Sequence, residues 1–200
     1  MSPKITAPTL AEQRSITQQK LIEAALQIAL SAGSDSITVT EVARRAGFSR
    51  SVFYQYFSSA DDLITDLLIN ELNAMNSHLI SSVSTLSDPI EYLSIWISES
   101  LKYVADGRHL LAKSLNAIQI PEFRKLEFDQ AHMHLIHAMA KPIKELGIPD
   151  VSGALAYIRK ALEAATSRIE SGGHPDLEIS SAVIFITGGI SALALSSKRV

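Results

Sequence analysis

"TVTEVARRAGFSRSVFYQYF", Thr38 to Phe57, decides how the rest of this 200-residue chain is read. Thr38 followed by Glu41 is the pattern of a capping box: the threonine accepts from the third helical amide and the glutamate reaches back. Gly47 ends that helix, because glycine supplies the left-handed backbone of a turn without a Cβ clash. Ser49 is the next N-cap, and the helix it opens runs to about Tyr56. Two short helices meeting at a glycine turn are the helix-turn-helix plan. Ala43 is small where the two must cross. Val42, Ala46, Phe48, Val52 and Phe53 point inward, which leaves Arg50, Ser51, Tyr54 and Gln55 facing out.

Those outward residue types suit a nucleic acid. The major groove admits one helix, and the residues at the helix start then face the base edges. Arginine pairs with guanine through two hydrogen bonds, and glutamine does so with adenine. Thr38, Thr40, Ser49 and Tyr56 lie where hydroxyls and helix-start amides grip phosphate oxygens, and Arg44 joins them as a cation. The bland reading of the same spacing is a helical hairpin inside a larger core, with Arg44 and Arg45 simply solvated.

The flanking sequence is helical almost throughout. Gln18 to Ala32 carries a stripe of Leu21, Ile22, Ala25, Leu26, Ala29 and Leu30, stopped by Gly33. Ser59 caps a helix that reaches about Ser82, with Asp61 and Asp62 in its first turn, where the helix dipole favours acids. Asp88-Pro89 opens another, which runs to Ala105 before Gly107. A shorter one spans about His109 to Ile118. Pro121 starts a long one that Pro142 kinks or ends near Ala140. The last two run from Val151 to Ser171 and from about Pro175 to about Ser197. No alternating strand pattern and no internal repeat survives.

Composition narrows the function classes. Hydrophobic residues make up 46% of the chain, enough for a real core, and there is no cysteine. A disulfide framework, a zinc-thiolate site and a thiol nucleophile are therefore excluded, which suits a reducing cytoplasm. The N-terminal stretch has no apolar run, so no secretory signal is expected. Ala182 to Leu195 is apolar, but shorter than the roughly 20 residues that span a bilayer, and reads as a buried helix. The expectation is a cytoplasmic protein with no membrane partner. Through Phe57 the chain carries six lysines and arginines against four acids, a net of +2, so the remainder of a chain of net charge −3 carries −5. Only the head suits a polyanion.

The region resembles the N-terminal domain of the tetracycline-repressor (TetR) family. The resemblance rests on "QKLIEAALQIALSAG" and "ITVTEVARRAGFSRSVFYQYFSSADDLI", above all on Tyr54, Tyr56, Phe57, Asp61, Asp62 and Leu63. It covers about a quarter of the chain, roughly Gln18 to Leu68. It implies an all-α homodimer: an N-terminal three-helix helix-turn-helix domain plus a C-terminal helical ligand-binding and dimerisation domain, about nine helices in total. Residues 1–15 would be a flexible tail, 16–62 the DNA-binding domain and 63–200 the effector-binding and dimerisation domain. Such proteins repress or otherwise regulate transcription from a double-stranded DNA operator and are released by a small-molecule effector. One departure stands out. The family often has a phosphate-contacting lysine where this chain has Ala60.

The resemblance further implies that the last two helices pair with a twofold mate. The final one is apolar almost all round, more than a surface helix tolerates, and Val183, Ile186 and Ile190 are its interface candidates. The alternative is that it is the central helix of a monomeric core. Tyr92, Trp96, Tyr103, Phe123, Phe128, Met133, Met139 and Tyr157 are the pocket candidates, and their character favours a largely apolar effector. His132, His134 and His137 invite a metal reading. However, only His134 and His137 share a helix face, and no carboxylate sits at a clean spacing beside them, so no metal and no cofactor is expected. No nucleophile–base pattern, phosphate-cradling loop or paired carboxylate is present, so no enzyme is expected. The leading reading is a ligand-responsive regulator, most simply a repressor. A second is a DNA-binding regulator without a small-molecule effector, its body serving dimerisation or protein partners. A third is a helical enzyme or metal-binding protein.

Overall fold

The computed structural model describes residues 9–106 and 120–197, and every regular element among them is helical. The described residues fall into two compact units, one of residues 9–68 with 120–125 and the other of residues 69–106 with 126–197. The division falls after Leu68, inside a helix, rather than after residue 62. The expected helix at His109–Ile118, with the stop at Gly107, lies outside the described residues.

The first unit holds α1 (Leu10–Ala32), a 3-10 turn (Ser34–Ser36), α2 (Val39–Ala46), α3 (Arg50–Phe53), the start of α4 (Ala60–Val83) and a second 3-10 turn (Glu122–Arg124). Helix α1 begins at Leu10, inside the segment expected as tail. Thr9 and Glu12 form a complete capping box there: the Glu12 amide donates to Thr9 Oγ1 at 3.2 Å, and the Thr9 amide donates to Glu12 Oε2 at 2.6 Å. The Thr9 amide also holds the Glu12 carboxyl below its ordinary pKa. The unit is closed by Leu21, Ala25 and Ile28 of α1, Val42 and Ala43 of α2, Phe53 and Phe57, and Leu63, Ile64 and Leu67 of α4, all buried. Thr65 is fully buried too, and its hydroxyl is satisfied by the Asp61 carbonyl at 2.7 Å.

The second unit holds the rest of α4, α5 (Pro89–Ala105), α6 (Lys125–His137), α7 (Ala140–Glu145), α8 (Val151–Glu170) and α9 (Pro175–Ser197). Helix α5 is central and packs against α7, α8 and α9. Asp88 caps it by accepting from the Glu91 amide at 2.7 Å, and Pro89 opens it with a pre-set φ. Leu93, Trp96, Ile97 and Leu101 carry its buried face against Leu79, Ile143, Ile158, Ile186 and Ile190. The long helix expected from Pro121 is split in two, with the break at Ala138-Met139. Pro142 lies in the first turn of α7, where an amide has no intrahelical partner to lose.

Helix α9 is 23 residues long, and length and composition alone would let it cross a membrane; only 28% of its most apolar stretch is buried, so the expectation of a buried helix holds for one face alone. Its buried stripe is Ile179, Ala182, Ile186, Ile190 and Ala194, which meets α5 and α8. The opposite side presents Leu177, Ile184, Phe185 and Leu195 outward, around Gly188 and Gly189. Among the described residues, a methyl group built on either glycine would meet nothing within 4 Å. The turn from α8 into α9 is held by Arg168, whose Nε and Nη2 donate to the two oxygens of Glu178 at 2.6 and 2.7 Å.

Candidate nucleic-acid interface

The turn between α2 and α3 is built from local chemistry. Thr38 Oγ1 accepts from the Glu41 amide at 3.2 Å and opens α2. Gly47 then takes the left-handed conformation, φ 77° and ψ 26°, and the Phe48 amide reaches back to the Ala43 carbonyl at 2.8 Å. Ser49 Oγ accepts from the Val52 amide at 3.3 Å to open α3. As a regular helix α3 ends at Phe53, earlier than the expected Tyr56. The Gln55 and Tyr56 amides turn tighter, to the Val52 and Phe53 carbonyls. Phe53 anchors the turn from inside: it is fully buried, with its ring centroid 5.7 Å from those of both Tyr54 and Phe57.

Thr38, Thr40, Arg44, Ser49, Arg50, Ser51, Tyr54 and Gln55 are all solvent-exposed along α2, the turn and α3, and Tyr56 is half-buried. Val42 and Phe53 are buried as expected, while Ala46, Phe48 and Val52 are only partly covered. The expected capping box at Thr38 is half made. Glu41 turns away from the Thr38 amide and pairs with Arg44, accepting from Nε at 2.8 Å and from Nη2 at 2.6 Å. This hydrogen bond from Arg44 lowers the Glu41 carboxyl below its ordinary pKa and raises the guanidinium above its own. Arg45 approaches the same carboxylate at 3.9 Å. Arg44 therefore has an intrahelical partner, which any incoming phosphate would have to displace or share. Arg50 extends from the first position of α3.

Two contributors escaped the sequence reading. The Arg14 guanidinium of α1 lies over the Tyr56 ring, 6.0 Å from its centroid. Arg124 bridges Asp62 and Asp66 from 62 and 58 residues away in sequence. No local spacing announces either contact.

In the second unit the pocket candidates separate. Trp96, Tyr103 and Met139 are buried, and Tyr92 stacks on Trp96 at 6.0 Å with rings 7° from parallel, its phenol pKa pushed up by burial. Phe128 is half-buried, close to His132. Phe123, Met133 and Tyr157 are exposed, so these three line no interior space. A surface depression of about 540 Å³ lies beside His137, Ala140, Lys141, Lys144 and Glu145, and none of the aromatic candidates borders it. His132, His134 and His137 are exposed on α6, and among the described residues no three histidine or acidic side chains converge. The interface candidates need correction. Ile186 and Ile190 are 4% and 3% exposed and belong to the core of their own chain, and Val183 is half-covered against the same core. The outward residues are their neighbours Ile184, 72% exposed, and Phe185, 75% exposed. An all-round apolar helix carries no periodicity to tell its two faces apart.

Comparison with known proteins gives a consistent picture. Residues 21–67 match the model of a family described as bacterial regulatory proteins, tetR family. The regulator HbdR of Aromatoleum sp. (strain CIB), an HTH-type transcriptional regulator, is 30% identical over 94 residues, covering 46% of this chain and 40% of HbdR. The chain spans about half the length of the curated relatives it matches. Among solved structures, a transcriptional regulator from Saccharomonospora viridis in complex with choline superposes with a TM-score of 0.70 at 14% identity, covering 86% of this chain and 96% of that one. The regulator FadR of Bacillus subtilis in complex with stearoyl-CoA gives 0.64 at 16%, covering 90% and 98%. At these identities the likeness is one of fold.

Proposed function

Because residues 21–67 match the tetR family of bacterial regulatory proteins, we propose that this chain is a transcriptional regulator of that family, most simply a repressor, that binds a pseudo-palindromic operator as a homodimer. The observation that carries this reading is the exposed row of Arg50, Ser51, Tyr54 and Gln55 on a turn whose inner side is pinned by buried Phe53. Arg50 and Gln55 are the base readers. Thr38, Thr40, Ser49, Ser51, Tyr54 and Tyr56 position the protein through phosphates, with Arg44 added once it leaves Glu41. Sequence is then read by a few side chains, while most of the affinity is electrostatic and falls with salt.

Two half-sites require two copies, about 34 Å apart along one face of the duplex. The second copy docks on the outward side of α9, where Ile184, Phe185, Leu177 and Leu195 meet water in the single chain beside two glycines that admit a close helix. Tyr92, Trp96, Tyr103 and Met139 are the residues best placed to line an effector site, and their character favours an apolar ligand. The choline and stearoyl-CoA complexes support a ligand-binding role for bodies of this fold, and they differ too much in chemistry to choose a ligand for this one.

The deciding experiment is selection from a random duplex library at fixed salt. Recovery of a two-part site with half-sites about one helical turn apart supports the proposal. Recovery of no preferred sequence from folded protein refutes it.

A further inference from the structure

An ion network in the first unit reaches beyond the helix-turn-helix segment. Arg124, at the end of the 3-10 turn Glu122–Arg124, donates from Nη1 to Asp62 Oδ1 at 2.7 Å and from Nη2 to Asp66 Oδ1 at 2.6 Å. The two carboxylates stand one turn apart on α4, so a single planar guanidinium spans both. A lysine, with its charge at one point, cannot reproduce that fit. All three side chains are less than a fifth exposed. The second oxygen of Asp62 accepts from the Ser58 amide at 2.8 Å and from the Ser58 hydroxyl at 3.0 Å. The Asp62 amide in turn donates to Ser59 Oγ at 3.1 Å. Asp66 Oδ2 accepts from Gln18 Nε2 of α1 at 3.3 Å. Ser58 and Ser59 are the link between the recognition turn, which closes at Phe57, and α4.

We propose that Arg124 is a positioning residue for DNA recognition: it holds Asp62 in the orientation that fixes the Ser58-Ser59 link, and so sets the angle at which α3 leaves α4. Without the guanidinium, two like charges remain one turn apart with little water around them. Asp62 then relieves the repulsion by swinging outward, and the Ser58 amide loses its acceptor. The displacement falls directly after Tyr56 and Phe57, the end of the reading surface. The reading surface is thus completed by a residue from outside the segment that matches the family, residues 21–67. The consequence for DNA rests on the proposed operator binding, whereas the structural role does not.

The test uses the full chain with Arg124→Gln and Arg124→Lys. Residue-resolved amide exchange is followed at Ser58, with Phe48, held by Ala43 in the α2–α3 turn, as the reference. Arg124→Gln is expected to keep its helix content, to speed Ser58 exchange about tenfold or more, and to leave Phe48 unchanged. Binding to the selected operator is expected to weaken about tenfold with the same base preference. Arg124→Lys is expected to fall between the two, because it keeps the charge and loses one arm of the fork. Wild-type exchange at Ser58, or wild-type operator affinity despite faster exchange, overturns the proposal. If the Gln variant does not fold, the Lys variant decides by the same two readings. If wild-type protein selects no operator, the DNA-binding reading fails by itself, and Ser58 exchange alone decides the role of Arg124.

Discussion

Substituting Phe185 separates assembly from folding. Its ring is 75% exposed in the single chain. Complete burial of such a side chain is worth roughly 1.5–3 kcal/mol, so the exposed three-quarters corresponds to roughly 1–2 kcal/mol per protomer. A twofold interface counts each substitution twice. Phe185→Ala is therefore expected to cost the proposed dimer roughly 2–4 kcal/mol, a factor of about 30 to 1000 in its dissociation constant. Phe185→Glu adds an unpartnered carboxylate in each copy, at several kcal/mol apiece unless the interface opens to hydrate it. The folded single chain barely notices either change, since an exposed site away from caps and core shifts stability by about 0.5 kcal/mol or less. Ile186→Asp would be the wrong cut: at 4% exposure it places a charge in the protomer's own core and loses the fold together with the pairing. Sedimentation equilibrium over a range of concentrations, with circular dichroism as the fold control, is the assay. Phe185→Glu is expected to be helical, monomeric at micromolar concentration and unable to bind the operator tightly. A helical Phe185→Glu variant that sediments as the wild-type dimer and binds the operator normally refutes the placement of the interface on the outward side of α9.

Three further outcomes bear on the DNA surface. Arg50→Ala is expected to relax base preference at one position per half-site and to cost about 1–3 kcal/mol, with an unchanged selected site ruling Arg50 out as a reader. Glu41→Gln frees Arg44 and is expected to tighten operator binding and steepen the salt slope by up to about one unit per half-site, read from titrations at several salt concentrations. The Glu41 carboxyl is held below its ordinary value of 4.5, so its contribution to stability is present above that value and lost as pH falls through the lower folded one; the Gln variant should lack this step in acid unfolding curves. Ala60→Lys, at the first position of α4, is expected to tighten binding at low salt with no change in base preference, and an identical salt slope would place the start of α4 out of reach of the backbone.

What the sequence made legible was mostly local. Thr38, Gly47, Ser49 and Asp88 mark helix ends through contacts three or four residues long, and the elements they bound lie close to where those residues put them. The start of α1 was missed because its capping pair, Thr9 and Glu12, stands well ahead of the apolar stripe that begins at Leu21. Glu41 had two partners within reach, the Thr38 amide and the Arg44 guanidinium, and the charged one won. The faces of α9 were illegible because neither side is polar. Arg124 was invisible for another reason: its partners lie 58 and 62 residues away, and no period or spacing encodes a contact of that range.

Gly188 and Gly189 sit in mid-helix, where each costs roughly 0.8–1 kcal/mol against alanine, and where a methyl group would touch nothing among the described residues. Among the described residues no close approach to either glycine offsets that loss. Under the proposed pairing the compensation comes only from the mate, so folding and abundance become linked by mass action. A copy that found a partner would then be protected, and a solitary copy would open more often and be the first to meet a protease. The two glycines would then act as a threshold on cellular dose, clearing scarce protein faster than plentiful protein and sharpening the change between an occupied and an empty operator.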